Sequence, residues 1–156
     1  QTTRPIRLDY GPELIMGRTV KLPAAEGEEF PALVSDIDET FNERSGIRLP
    51  DLTVPVATYT GWNLRDPSIG NPDLFIGITG GLAGWTLPLP ATPADQATSG
   101  DPRPSIEELY ANREDYLKKV REAAQALADE GYMLEEDLDV VMERAGLRFD
   151  LFAGAT

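Results

Sequence analysis

Histidine and cysteine are both missing from the 156 residues. The first absence removes the imidazole that acts as general base in serine hydrolases, and the second removes a thiolate nucleophile, so a hydrolase of either type cannot be complete within this chain. Without cysteine there is also no disulfide frame and no zinc ribbon, and zinc would have only carboxylates. Cations are scarce: 14 Lys and Arg stand against 27 Asp and Glu, giving a formal charge of −13 and a pI near 4.3. Nucleic acid is a poor partner on that ground, because phosphate binding needs clustered Lys and Arg that displace counterions. No apolar run approaches the ~20 residues of a membrane span, and the amino end, Gln1-Thr-Thr-Arg-Pro5, carries no apolar signal core. These features predict a soluble chain, with the periplasm and the exterior both open as its compartment. A start at Gln1 is what a processed or excised piece would show.

The length suits one domain, since a chain of this size hides roughly 70% of its extended surface on folding. Its composition breaks sharply at Asp101-Pro-Arg-Pro104: all 13 prolines and 11 of the 14 glycines precede Ser105. Residues 1–104 therefore read as an extended segment of short strands and loops, and residues 105–156 as a helical hairpin with a tail, together one structural unit. The fold class expected is α+β. Phe30-Pro-Ala-Leu-Val34 and Leu52 to Thr60 carry strand-forming residues, with Pro55 confining the second to an edge or an irregular extended stretch. The polar run Asp36 to Gly46 between them is expected to be a long hairpin loop. Ser105 and Glu108 have capping-box spacing, and Asn112 offers a second cap. Tyr116, Leu117, Val120, Ala124 and Leu127 then share one face of a helix that Gly131 stops, with Glu114–Lys118 and Asp115–Lys119 pairs on the solvent side. Leu134, Leu138, Val141, Met142 and Ala145 predict a second helix ending at Gly146. The tail Leu147 to Phe152 is a strand or a docked segment that buries Phe149 or Phe152.

No catalytic constellation assembles from these residues. The five serines, Ser35, Ser45, Ser68, Ser99 and Ser105, lie outside any Gly-x-Ser-x-Gly elbow and sit in turn-like or capping contexts. Gln1 cannot be an amino-terminal nucleophile. Asp36-x-Asp38-x-Thr40-x-Asn42 starts like a calcium loop but has Phe41 where glycine belongs and Ile47 where the bidentate glutamate belongs, so it reads as a solvated turn rather than a weak calcium site. Gly77 to Gly84 lacks the lysine and hydroxyl residue of a phosphate loop, and Trp85-Thr follows instead. It reads as a flexible or tightly turning loop. A pair such as Asp66 and Asp73 has the residue types of a glycosidase, yet among 27 acidic residues such neighbours arise by chance. The most site-like cluster is Trp62, Asn63 and Arg65, with Tyr59 just before it, uniting flat apolar faces with an amide and a forked cation. It faces a ligand or docks as a turn with Asn63 bonding backbone.

The order Leu8-Asp-Tyr-Gly-Pro12, Phe30-Pro-Ala-Leu-Val34, Gly46-Ile-Arg-Leu-Pro50, Val54-Pro-Val-Ala-Thr-Tyr-Thr-Gly-Trp-Asn-Leu-Arg65 and Ser99-Gly-Asp-Pro-Arg-Pro-Ser-Ile-Glu-Glu108 resembles the carboxy-terminal region of a bacterial family of large, esterase-like α/β hydrolases. The likeness is most specific at Thr58 to Arg65 and Gly100 to Arg113. Members often show an Asp-Gly-Asn turn after the Leu-Val strand, and this chain has Asp38-Glu-Thr-Phe-Asn42 instead. The resemblance implies a nucleophile serine and histidine upstream, so that no catalytic residue, metal or cofactor carries over. It implies as partner the remainder of an α/β-hydrolase core, in the same precursor or a companion chain, and a small ester as substrate. Tyr59, Trp62, Asn63 and Arg65 would dock on that core or wall its pocket. The rival expectation is a self-contained acidic binding domain that presents the Trp62 and Trp85 loops to a partner.

Overall fold

The computed structural model describes residues 2–3, 6–29, 31–33, 35–61, 63–64, 68, 75–76 and 84–154. In chain order the strands are β1 (Thr2–Thr3), β2 (Ile6–Asp9), β3 (Ala25–Glu29), β4 (Ala32–Leu33), β5 (Ala57–Thr60), β6 (Asn63–Leu64), β7 (Phe75–Ile76) and β8 (Trp85–Pro88). The helices are α1 (Pro50–Thr53), α2 (Pro93–Ser99), α3 (Ile106–Leu109), α4 (Arg113–Asp129) and α5 (Leu138–Ala153). The expected α+β class is what these elements form, small sheets first and a helical hairpin last. The chain divides into one unit of residues 1–35 and 62–82 and another of residues 36–61 and 83–156.

The first unit consists of three antiparallel pairs, β1 with β4, β2 with β3, and β6 with β7. The β2–β3 ladder slips between Ile6 and Leu8. Its connection is tied at the base by Asp9, whose carboxylate accepts from the Gly11 amide at 2.8 Å and pairs with Lys21. A one-turn 3-10 helix, Leu14–Met16, follows and is closed by Gly17 at φ 79°, a left-handed position suited to glycine. None of the described side chains of this unit is buried.

The second unit holds the core. Val56 and Leu89 flank the β5–β8 pair, Ile106 and Tyr110 come from α3 and its end, Tyr116 and Val120 from α4, and Ala145 from α5. Tyr116 lies edge-on to Tyr110 with ring centres 5.0 Å apart and meets Phe149 at 5.0 Å, spacings at which aromatic pairs attract. The Tyr110 hydroxyl donates to the Pro55 carbonyl at 2.9 Å. The cap signals act as the sequence predicts: Glu108 accepts from both the amide and the hydroxyl of Ser105 at 2.8 Å, and Asn112 accepts from the Asp115 amide at 2.9 Å. Tyr116, Val120, Ala124 and Leu127 form the buried face of α4.

Several expectations need correction. The stretch from Leu52 does not run as one strand: Pro50 begins a helical turn, α1, and pairing starts only at Ala57, past Pro55. Phe30 and Val34 lie outside the described residues, while Ala32–Leu33 pairs with β1 and β5 pairs with β8, so residues 36–46 are not a hairpin loop between neighbours. Trp85 is in a strand rather than a loop. Gly146 does not end the last helix, which continues to Ala153 with Gly146 buried inside it. A Cβ there would stand 2.7 Å from the Arg113 guanidinium, which crosses to bind Asp150; the missing side chain makes room for that pair. The tail is therefore helix, with Phe149 and Phe152 half-buried against the core. Leu134 is exposed, and Lys118 approaches Glu122 rather than Glu114.

Phe41 has φ 64°, the only non-glycine in the left-handed region among the described residues. That conformation costs an L-residue about 1–2 kcal/mol, and the residue, 41% exposed, offsets it by burying more than half of its surface. Phe41→Gly relieves the strain but loses that burial and adds freedom to the unfolded chain, so it is expected to lower stability by about 0.5–1 kcal/mol. A urea midpoint above that of the parent would contradict this.

Candidate functional site

Of the four residues singled out by sequence, Tyr59 lies in β5 and Asn63 in β6, where its backbone pairs with Ile76. Trp62 and Arg65 lie outside the described residues, as do Asp66, Asp73 and residues 77–83. Tyr59 and Asn63 belong to different units. The Tyr59 hydroxyl and the neighbouring Thr60 hydroxyl are both buried without a hydrogen-bond partner among the described residues. Burial pushes the Tyr59 phenol up to about 12, so at neutral pH it stays protonated. It is no base.

Beneath Tyr59 is a polar network that sequence reasoning took for a solvated turn. Its centre is Asn42, fully buried. The Asn42 amide donates to the Thr40 hydroxyl at 2.8 Å and to the Ala57 carbonyl at 3.0 Å, and its oxygen accepts from the Tyr59 amide at 2.8 Å. Asp38 organises the turn above it: one oxygen accepts from the Thr40 and Asn42 amides at 2.9 and 3.1 Å and from the Thr40 hydroxyl at 2.6 Å, while the other binds Arg48 at 2.7 Å. With four donors on its two oxygens, Asp38 acts as a turn-former. The described residues contain no group of three or more acidic side chains placed to hold a metal.

Arg103, between two prolines, completes the network and was missed. It is 9% exposed. Its guanidinium donates to the Thr58 hydroxyl at 2.9 Å, to the Leu87 and Pro88 carbonyls at 3.0 and 3.1 Å, and to the Asp101 carboxylate. Thr58 in turn donates to the Thr40 carbonyl. One cation thus bonds both strands of the β5–β8 pair and the loop after α2. The hydrogen bonds from Arg103 hold the Asp101 carboxyl below its ordinary value, against the opposing pull of desolvation. The available signal was an isolated arginine two residues after an aspartate in a proline-stiffened stretch, Asp101-Pro-Arg-Pro104.

Two recesses open on the second unit. A cleft of about 580 Å³ lies between α1, the turn joining α4 to α5, and α5 itself. A smaller recess of about 380 Å³ includes Asp38, Arg48, Tyr110 and Lys119. In the smaller recess the Thr40 hydroxyl donates to the Asp38 carboxylate, but Thr40 is buried and its oxygen also accepts from Asn42. The hydroxyls of Ser99 and Ser105 are used within helices, donating to the Asp95 carbonyl and the Glu108 carboxylate at 2.8 Å each. Among the described residues the polar groups at this place brace β5, β8 and the loop after α2.

A family model described as an alpha/beta hydrolase domain matches residues 5–143. Among curated proteins and solved structures nothing matches.

Proposed function

The chain belongs to the alpha/beta hydrolase domain family, and on that footing we propose that it is the carboxy-terminal, non-catalytic region of a bacterial esterase-like enzyme. Its role is structural cover, with Tyr59, Trp62, Asn63 and Arg65 docking on the catalytic core or walling the pocket. The core, in the same precursor or a companion chain, supplies the nucleophile and the imidazole that this composition lacks. The substrate class is a small ester.

The observation that supports this reading is the apolar surface of the first unit. Ile15 is 91% exposed, Met16 84%, Leu33 82% and Leu22 77%, and no described side chain of the unit is buried. Scattered apolar side chains are ordinary on any surface, but large ones bare, with none buried among the described side chains of the unit, make the kind of surface a docking partner covers. The Tyr59 hydroxyl, without an acceptor among the described residues, fits the same reading.

The isolated chain is expected to hydrolyse p-nitrophenyl acetate and butyrate no faster than buffer, and saturable turnover would overturn the non-catalytic role. An apolar dye such as anilinonaphthalene sulfonate is expected to fluoresce strongly with the isolated chain, and weakly when the chain is produced together with its catalytic core. Equal dye signals in the two preparations would remove the docking role.

A further inference from the structure

The cleft of about 580 Å³ falls within the roughly 300–1,000 Å³ of small-molecule sites. Met133, Leu134, Val140 and Val141 give it an apolar wall, and Leu134 and Val140 are 61% and 45% exposed. Arg144 follows Val140 by one helical turn and Arg148 by two, both lining the same concavity. Arg148 is already engaged: it pairs with Asp51, and burial lowers its pKa. Arg144 has no hydrogen-bond or ion-pair partner among the described residues.

Arg121 also lacks such a partner among the described residues, but it lines neither recess. A guanidinium left without a carboxylate, beside an apolar wall, is complementary to an anion from outside. Its planar fork matches a carboxylate with two parallel bonds. Asp51 neutralises Arg148, and Asp137 lines the cleft two turns before Arg144. A ligand with several negative charges would meet both aspartates, whereas a single charge confined to the Arg144 end would not.

We propose that this cleft binds a small monocarboxylate with an apolar body, the carboxylate paired with Arg144 and the body against Leu134 and Val140. The proposal does not depend on the structural role argued above, and the two fail separately. It is tested by titrating hexanoate, hexan-1-ol and acetate into the whole chain by calorimetry, with amide NMR shifts locating the site. Hexanoate is expected to bind saturably and to shift residues 131–148. Acetate and hexan-1-ol, each lacking one half of the ligand, should bind at least about tenfold more weakly. Arg144→Gln should weaken hexanoate about tenfold or more, Arg144→Lys less, and Leu134→Ser severalfold. Arg18→Gln, at an exposed arginine elsewhere, should change nothing. Arg144 is on the surface, so its substitution leaves the circular dichroism unchanged. Absence of saturable hexanoate binding, binding by Arg144→Gln equal to the parent, or acetate binding as tightly as hexanoate would each overturn the proposal.

Discussion

Asn42→Ala is expected to lower the unfolding free energy of the second unit by about 3 kcal/mol, read as a fall in the urea midpoint with an unchanged slope. The side chain is wholly enclosed and satisfies three groups at once: the Thr40 hydroxyl, the Ala57 carbonyl and the Tyr59 amide. Truncation leaves the Ala57 and Tyr59 backbone groups at the start of β5 without partners in a place water does not reach, each at about 1–3 kcal/mol. A cavity adds to this. Asn42→Asp preserves shape but replaces the donating amide with an oxygen that faces the Ala57 carbonyl, so at neutral pH it should destabilise at least as much as alanine. A loss below about 1 kcal/mol for both variants would mean that the network is incidental.

Which parts of this were legible in the sequence follows from how local their causes are. The hairpin of α4 and α5, its caps at Ser105 and Asn112 and the buried stripe of Tyr116, Val120, Ala124 and Leu127 depend on interactions within a few residues, and periodicity displays them. The capping box of Thr92 and Asp95, with Pro93 at the first helical position, was equally local and was passed over because prolines crowd that region. Strand partners were not readable. Whether Ala57 to Thr60 meets residues 30–34 or residues 85–88 depends on contacts nearly thirty residues apart, to which alternation of side chains is blind. Asn42 and Arg103 were misjudged or missed for a related reason. Polar residues in a loop normally face water, and what keeps Asn42 dry is Thr58 and Tyr59 bonding back across it from β5 and Arg103 arriving from 45 residues beyond Thr58. Gly146 shows the converse: a glycine that looks like a helix stop in sequence stays inside α5 because Arg113 needs the space. The proposed site at Tyr59, Trp62, Asn63 and Arg65 rested on residue types alone, and of these the structure describes the side chain of Tyr59 only.

The largest effect is expected at Arg103. Arg103→Met should destabilise by about 4 kcal/mol, because removing one partner of a buried pair leaves the other charge uncompensated. The Arg103 and Asp101 side chains are 11% and 17% exposed, and the Leu87 and Pro88 carbonyls and the Thr58 hydroxyl lose a donor in the same step. Arg103→Lys should recover only a small part, since an ammonium cannot reach the aspartate and two carbonyls with the fixed fork of a guanidinium. The pH dependence separates the charge from the packing. Hydrogen bonds from Arg103 depress the Asp101 pKa in the folded chain, so the stabilisation from this pair is fully present above the unfolded aspartate value of about 3.9 and is lost as pH falls through the depressed folded value. In Arg103→Met the aspartate has no such partner, and protonation relieves its burial instead. The gap in stability between parent and variant should therefore be widest at neutral pH and narrow steadily as pH drops below about 4. A gap that stays constant between neutral pH and pH 3 would mean that Arg103 braces the β5–β8 pair through its carbonyl bonds and its bulk, with no contribution from the charge of Asp101.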